Sequence, residues 1–209
     1  MADLTDKSTP KMPGSLEETL KAILPEQDKT NGKPRKLPPV HLWNPDHCGD
    51  IGMEIRADGT WWHEGRIIGR EKLVRLFSTI LRKDDDGETY LVTPYEKVIV
   101  RVEDAPFLAV RVDLSGEPGP EQSLVFTTNL GDIAIAGPDL PIRVETDPET
   151  LEPAPYVLIR GRLEAKLTRP TFYELVGLAV PNPADNGATL GVWSGGHFFV
   201  IGPADEPDE

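Results

Sequence analysis

Four potential metal ligands lie within ten residues of one another: His41, His47, Cys48 and Asp50. A zinc-like ion takes four nitrogen, sulfur or oxygen donors in a tetrahedron, so these residue types could form such a site. The spacing matches no standard metal motif, and Pro45 and Gly49 favour a turn in this stretch. We therefore predict no metal site here.

Two side chains could act as nucleophiles, Cys48 and Ser194. A catalytic thiolate needs a histidine beside it, but His47 is poorly placed to reach its own neighbour, and His41, His63 and His197 could approach only through the fold. Ser194 lies in GVWSGGH, which lacks the Gly-x-Ser-x-Gly turn between a strand and a helix. Nucleotide-binding glycine motifs are also absent from the sequence. We predict no catalytic residue and no cofactor.

Arg70 and Arg169 each stand at the start of a predicted helix. A cation there opposes the helix dipole, so some compensating interaction is expected. In the favoured interpretation each guanidinium is partly buried and holds carbonyls and a carboxylate such as Glu96 or Glu164, which fixes the helix to its sheet. In the alternative, the two arginines are anion-binding groups that face a cleft.

The tryptophans raise a similar choice between packing and binding. Trp61 and Trp62 are adjacent in a predicted strand and must point to opposite faces, so one indole faces away from its own sheet's core. Packing is the simpler outcome, whereas an indole near the Thr93 or Ser194 turns would suit a small molecule or a partner. The residues predicted to bind a ligand are Arg70, Arg169, Trp61, Thr93, Glu96, Trp193 and Ser194.

The elements that carry these residues occur twice. IGREKLVRLFSTIL, which starts at Ile68, and LTRPTFYELVGLAV, which starts at Leu167, share the arginine and the apolar spacing of an amphipathic helix. The Asp86-Gly87 turn after the first helix corresponds to Asn186-Gly187 after the second. We predict that segments 60–94 and 159–194 are copies of one strand-helix-strand unit, with a ligand cleft between the two halves.

The remaining pattern is mostly strands. KVIVRV and FLAVRVDL alternate apolar and polar residues and predict an antiparallel meander, in which Leu108, Val110, Val112 and Leu114 face inward. The fold class is α+β, with two similar halves of mostly antiparallel strands, one main helix in each half, and an N-terminal helix with a capping box at Ser15 and Glu18. The predicted organisation is a mobile tail (1–14), a short helix and linker (15–37), two α+β halves (38–115 and 116–202) and an acidic tail (203–209).

Composition excludes several classes of protein. Apolar residues make up 38% of the 209 residues and charged residues 27%, as in a globular chain. The net charge of −13 repels phosphate backbones, so no nucleic-acid partner is expected. We find neither an apolar run long enough for a membrane span nor a secretory signal, and Cys48 is the single cysteine. The predicted location is the cytoplasm.

Several stretches resemble a known bacterial family, the domain-of-unknown-function family numbered 1285. They are WNPDHCGDI, DGTWWHEG, IGREKLVRLFSTILRKDDDGETYLVTPYEKVIVRVEDAPF and WSGGHFF, and the resemblance extends from about Pro38 to Gly202. Its signature is DGxW, then IGR and an LVTPxE strand. The resemblance implies a fold of repeated structural motifs and a part in signal transduction, and it carries no catalytic residues.

The sequence is compatible with three functions. The favoured one is a non-enzymatic ligand-binding or regulatory module with a site between the two halves, which would show a cleft with convergent polar groups. The second is a protein-interaction adaptor, or a homo-oligomer, which would show an apolar patch and no small-molecule pocket. The third is a Cys/His-dependent enzyme, which would place Cys48 or a serine beside a histidine.

Overall fold

The computed structural model describes residues 37–204 of the 209-residue chain. The predicted tail 1–14, the N-terminal helix and almost all of the linker within 15–37, and most of the acidic tail lie outside these residues, as does the side chain of Cys48. A short 3-10 helix, Val40–Leu42, opens the described part.

The first half forms a six-stranded sheet, the first sheet, in the order β3-β2-β1-β6-β5-β4. Its strands are β1 (His47–Ile55), β2 (Trp61–His63), β3 (Arg66–Ile67), β4 (Leu81–Lys83), β5 (Thr89–Val92) and β6 (Lys97–Val102). β1 and β6 pair in parallel and the other neighbours are antiparallel. Helix α1 (Glu71–Thr79) follows β3 and buries Val74 and Phe77, and the Phe77 ring stacks on Trp61.

The second half contains a second sheet of six strands, in the order β10-β11-β12-β7-β8-β9, and a third sheet in the order β13-β14-β15. The strands are β7 (Phe107–Ser115), β8 (Ser123–Thr128), β9 (Ile133–Ile135), β10 (Ile142–Thr146), β11 (Pro153–Arg160), β12 (Leu163–Leu167), β13 (Val180–Pro181), β14 (Thr189–Ser194) and β15 (His197–Pro203). Helix α2 (Arg169–Val176) packs on β7 and β14, and its Leu175 is fully buried.

The two halves are similar, as the sequence predicted. In each, a hairpin (β1–β2 or β11–β12) leads into a helix, and the helix leads into a three-stranded antiparallel meander (β4–β6 or β13–β15). The turn before the middle strand of each meander places a glycine in the left-handed region, Gly87 at φ 85° and Gly187 at φ 84°. A side chain at either position would be strained, which explains why both halves have glycine there. The α+β prediction is confirmed.

The predicted meander of β6 and β7 is wrong. β7 pairs with β8 and, in parallel, with β12, so it belongs to the second sheet, although the sequence analysis placed it in the first half (38–115). The change of sheet occurs between Glu103 and Pro106. Apolar alternation indicates which face of a strand is buried, but the pattern does not identify the strand's neighbours.

The predicted inward face of β7 is also only partly correct. A bulge between Ala109 and Arg111 shifts the register against β8 and turns Val110 toward solvent, where it is 45% exposed. Phe107 and Ala109 are buried in its place. An extra residue in one strand reverses the alternation beyond it, and the sequence pattern does not mark its position.

Both helices are short. α1 has nine residues and α2 has eight, so no helix within residues 37–204 has the length and apolar character that a bilayer crossing requires.

Candidate functional site

A cleft of about 130 Å³ lies between the two halves of the molecule. The first sheet contributes residues of β4, β5 and β6, and the second half contributes residues at the start of β12. The lining residues are Lys83, Gly87, Glu88, Thr89, Val100, Val102, Asp104, Ala105, Pro106, Arg162 and Glu164. The sequence analysis predicted a site between the halves but none of these residues.

One row of cross-strand neighbours forms the floor of the cleft. Lys83 on β4 lies opposite Thr89 on β5, and Thr89 lies opposite Val100 on β6, so the three side chains share one face of the first sheet. Thr89 is only 6% exposed, and its hydroxyl has no hydrogen-bond partner among residues 37–204. The exposed Lys83 ammonium has no carboxylate partner in the same part of the chain. Both groups can therefore bind a ligand.

An ion pair spans the mouth of the cleft. Arg162, in the β11–β12 turn, pairs through Nη2 with Oδ1 of Asp85, in the β4–β5 turn. The side chains are 57% and 91% exposed, and an exposed pair of this kind contributes about 0–1 kcal/mol. A ligand anion can replace Asp85 at little cost.

Protein cations already neutralise two of the cleft's three carboxylates. Asp104 accepts hydrogen bonds from the Tyr156 hydroxyl at 2.8 Å and from Lys166 Nζ at 2.5 Å. Arg143 donates to both oxygens of Glu164, at 2.6 and 2.7 Å. Glu88 is the third carboxylate and has no such cation. Lys83 and Glu88 therefore present opposite, uncompensated charges to the same small space.

Arg70 and Arg169 do not reach this cleft. Arg70 is the N-cap residue of α1, Arg169 is the first residue of α2, and both are exposed. Arg169 is 83% exposed, and its Nη2 atom lies 3.9 Å from a carboxylate oxygen of the exposed Glu152. The favoured interpretation of Arg169 as a partly buried brace is wrong, whereas for Arg70 the brace stays a prediction. Glu164, proposed as their partner, binds Arg143 instead. The unfavourable dipole interaction is weak at an exposed helix end and needs no buried partner.

Arg160, at the end of β11, also bridges the two halves and is less exposed than Arg162. It donates through Nη1 to Asp132 Oδ1 at 2.6 Å and through Nη2 to the Ser78 carbonyl of α1. Its guanidinium lies 5.0 Å from the centre of the Phe107 ring. Nothing in the local sequence around Arg160 indicates this bridge, because its partners are distant along the chain.

The other predicted residues of the first half are separated from one another. Trp61 is 1% exposed and lines a different, apolar cavity. Thr93 is fully buried, and its hydroxyl accepts bonds from the amides of Tyr95 (3.2 Å) and Glu96 (3.0 Å), which fixes the β5–β6 turn. Burial raises the pKa of the Glu96 carboxyl above its ordinary value.

Trp193 and Ser194 lie on the third sheet and support its packing. The Trp193 ring meets Phe198 edge-on at 5.1 Å. Ser194 is fully buried; its hydroxyl donates to the Ala136 carbonyl at 2.7 Å and accepts from the Leu124 amide at 2.9 Å. Both bonds cross to the second sheet, so this hydroxyl ties the two sheets together. The predicted ligand set is thus not brought together in one place.

Comparison with protein families accounts for nearly all of the described chain. One family model, the N-terminal domain of the domain of unknown function DUF1285, matches residues 38–105. A second, the C-terminal domain of the DUF1285 protein of unknown function, matches residues 106–201. The chain belongs to the DUF1285 family. The boundary between the two DUF1285 models coincides with the change from the first sheet to the second.

Solved structures include other DUF1285 proteins. A crystal structure of a DUF1285 family protein from Silicibacter pomeroyi DSS-3 is 45% identical, with a TM-score of 0.78, and the match covers 93% of this chain and 98% of that one. A DUF1285 family protein from Shewanella baltica OS155 is 30% identical, with a TM-score of 0.48, and covers 61% and 92% of the respective chains. A search of curated proteins gives no significant match.

The DGTW stretch of this DUF1285 protein has a structural role. The Asp58 carboxylate accepts bonds from the Thr60 amide at 2.9 Å and the Thr60 hydroxyl at 2.6 Å, which closes the β1–β2 turn. Gly59 has a φ of 79°, and its Cα faces Asn129 and Leu108 of the second half. The turn therefore docks the first half on the second.

The potential metal ligands near the start of the DUF1285 fold are dispersed. Asp50 accepts from the Gly52 amide at 2.7 Å and from Arg101 at 2.6 Å, and the His47 ring packs edge-on against Tyr90. Among the residues that the structure describes, no three His, Cys, Asp or Glu side chains are grouped so that they could hold a metal ion. The absence of a metal stays a prediction for direct analysis.

Proposed function

We propose that this protein is a non-enzymatic binding module whose ligand occupies the cleft between its two halves. One observation carries the proposal: Lys83 and the nearly buried Thr89 of the first sheet meet Arg162 of the second half around a small polar space. A few polar groups that converge in a concave site are the usual mark of a ligand site, and of these three Lys83 and Thr89 have no side-chain partner among the described residues.

The dimensions and charges of the cleft suggest the class of ligand. A cavity of about 150 Å³ accommodates benzene, so a 130 Å³ cleft takes a molecule of similar or slightly smaller size. Lys83 and Arg162 favour a carboxylate, while Glu88 favours an ammonium or hydroxyl group. A small amino acid or hydroxy acid carries both kinds of group, and we propose this class.

Such a ligand would couple the two halves. It would contact the first sheet through Lys83 and Thr89 and the second half through Arg162, so binding would favour one arrangement of the two halves over others. This shift between arrangements of the two halves is the physical basis of the regulatory role that we propose. A part in signal transduction would depend on the same shift. A cytoplasmic location, predicted from the sequence, belongs to the same proposal.

The test is a screen of amino acids and hydroxy acids by thermal unfolding and by calorimetric titration. A ligand at one hundred times its Kd should stabilise the protein by about 2.7 kcal/mol, or roughly 5 to 10 °C in a chain of this length. Lys83→Ala and Thr89→Val should weaken binding by about tenfold each, because each removes one hydrogen bond or ion pair to the ligand.

Arg111→Ala is the matched control, because Arg111 is an exposed cation, paired with Asp113 on β7, and does not line the cleft. It should leave ligand affinity unchanged. If Arg111→Ala weakens binding as much as Lys83→Ala does, the loss of affinity comes from the change in net charge and not from a contact between Lys83 and the ligand. If no member of either class binds, the proposal for this cleft fails.

One observation favours the adaptor alternative. β9 is an edge strand of the second sheet, and its Ile133 and Ile135 side chains are 64% and 55% exposed. An apolar edge strand can pair with a strand of another chain, including a second copy. Sedimentation of the parent and of Ile135→Lys tests this: a concentration-dependent increase in mass that the substitution abolishes would support the alternative.

A further inference from the structure

A second cavity, of about 200 Å³, lies at the start of α1, and no cleft residue lines it. Its walls are mostly apolar and include Trp61 on β2, Ile67 on β3, Ile68, and Val74 on α1. Apolar cavities of about 150 Å³ bind single aromatic rings, so this one can take a ring or a branched aliphatic group.

Trp61 is one wall of this cavity, and its indole N–H lacks an acceptor. The residue is 1% exposed, and Nε1 is buried without a hydrogen-bond partner. The adjacent Trp62, by contrast, donates from Nε1 to the Thr60 hydroxyl at 2.8 Å. Buried indole N–H groups normally have a partner, and an orphan donor beside a cavity indicates an acceptor supplied by a bound molecule.

The N-terminus of α1 adds a second donor to the same place. Gly69 and Glu71 line the cavity, no side chain caps the helix at Arg70, and the Glu71 amide has no acceptor among the described residues. Uncapped amides and the positive end of the helix dipole favour an anion. The Glu71 carboxylate is itself paired with Arg75 at 2.5 Å, which reduces its repulsion of such an anion.

We propose that this cavity binds a small apolar monocarboxylate. The apolar body packs between Trp61, Ile68 and Val74, and the carboxylate accepts hydrogen bonds from the Trp61 indole and the first turn of α1. Because Nε1 is buried, a side chain that lines the cavity has to move when the ligand enters, and the proposal assigns this movement to Ile67. Ile67 is 57% exposed on a two-residue edge strand, where a side chain moves readily.

The indole resonances of the full-length protein report this binding directly. The chain has four tryptophans, so a ¹⁵N spectrum holds four indole signals, and Trp61→Phe assigns the one of interest. Titration with benzoate should move the Trp61 indole proton downfield, with a Kd of about 1 mM or tighter, while Trp62 and Trp193 stay in place. Benzylamine has the same ring and the opposite charge, and it should not shift that signal.

Two variants distinguish this cavity from the cleft between the halves. Val74→Phe fills the cavity and should weaken benzoate binding by about tenfold or more. Thr89→Val, in the cleft, should leave the benzoate titration unchanged, so the two sites are judged independently. If Val74→Phe misfolds, the titrations of the parent protein with benzoate and benzylamine still test the proposal. A Trp61 signal that does not respond to benzoate, or that responds equally to benzylamine, overturns the proposal.

Discussion

Arg160 of the second half donates a hydrogen bond to the carbonyl of Ser78, in the last turn of α1 in the first half. The last carbonyls of a helix lack partners within the helix and carry the negative end of its dipole, so a guanidinium is a suitable ligand for them. The same side chain binds Asp132, and the two side chains are 19% and 9% exposed. One residue thus links α1, β11 and the turn before β9.

Arg160→Ala should destabilise the protein substantially, because it leaves the buried Asp132 carboxylate and the Ser78 carbonyl without their cation. We expect a loss of about 2 to 4 kcal/mol in the free energy of unfolding. In a chain of this length that corresponds to roughly 5 to 15 °C in Tm. Denaturant and thermal unfolding measure it.

Arg169→Ala is the matched control, since it removes an arginine that is 83% exposed. Its expected cost is about 0 to 1 kcal/mol. Equal losses for the two variants would contradict the interpretation that Arg160 joins the halves and Arg169 does not.

Gly59→Ala should destabilise the protein through two separate effects. Its φ of 79° disfavours any side chain, and a Cβ would lie 2.9 Å from Asn129 Nδ2 and 3.0 Å from Leu108 Cδ1. Asn129 cannot simply rotate away, because its Oδ1 accepts from the Leu108 amide at 3.1 Å. We expect Gly59→Ala to lower the free energy of unfolding by more than the roughly 1 to 2 kcal/mol that the backbone conformation alone would cost.

Gly87→Ala isolates the conformational part, because Gly87 has a similar φ of 85° and no atom within 4 Å of its would-be Cβ. The difference between the two variants measures the contact between the halves. If both lose the same stability, the β1–β2 turn does not dock on the second half in solution.

The similarity of the two halves could be predicted because its signals are local. The amphipathic spacing of α1 and α2 and the Asp-Gly and Asn-Gly turns each depend on a few neighbouring residues, and both turns show the expected positive φ at Gly87 and Gly187. The assignment of β7 failed because strand partners depend on contacts distant in sequence. The same limit concealed Arg160, whose partners lie 28 and 82 residues away.

The candidate site was less predictable than the fold. A cleft between the halves followed from the repeat, but its lining depends on the register of Lys83, Thr89 and Val100 across three strands, which no single segment encodes. The sequence predicts Thr93 and Ser194 as binding residues because an exposed indole near their turns would suit a small molecule or a partner. Buried hydroxyls at turns also serve to satisfy backbone amides, and these two do so.

Ser194→Ala should lower stability, because the Leu124 amide loses its acceptor and the Ala136 carbonyl its donor. We expect about 1 to 3 kcal/mol, the cost of leaving buried backbone groups unsatisfied. Unfolding by denaturant measures this, with Ser115→Ala as the control, since Ser115 is exposed at the end of β7. A Ser194→Ala variant as stable as the parent would contradict the structural role of this hydroxyl. Ser194 would then again be a candidate for ligand binding.

Alkaline pH should destabilise the protein through Tyr90 and Tyr156. The hydrogen bond from Tyr90 to Asp86, at 2.8 Å, together with burial, raises the pKa of Tyr90 from 10.0 to about 12. Burial, with the hydrogen bond to Asp104, raises the pKa of Tyr156 to about 12. Between pH 10 and 12 the folded state therefore holds protons that the unfolded state has lost.

The stabilising contribution of these tyrosines should be complete below about pH 10 and should disappear as the pH rises toward 12. Titration of ¹³Cζ-labelled tyrosine follows each phenol apart from the lysines that ionise in the same range. Asp86→Asn removes the carboxylate that holds the Tyr90 proton and should lower the pKa of Tyr90 toward 10.0. Asp113→Asn, whose carboxylate pairs with Arg111, should leave it unchanged. A Tyr90 signal that titrates identically in the parent and in Asp86→Asn would show that this hydrogen bond does not control the phenol.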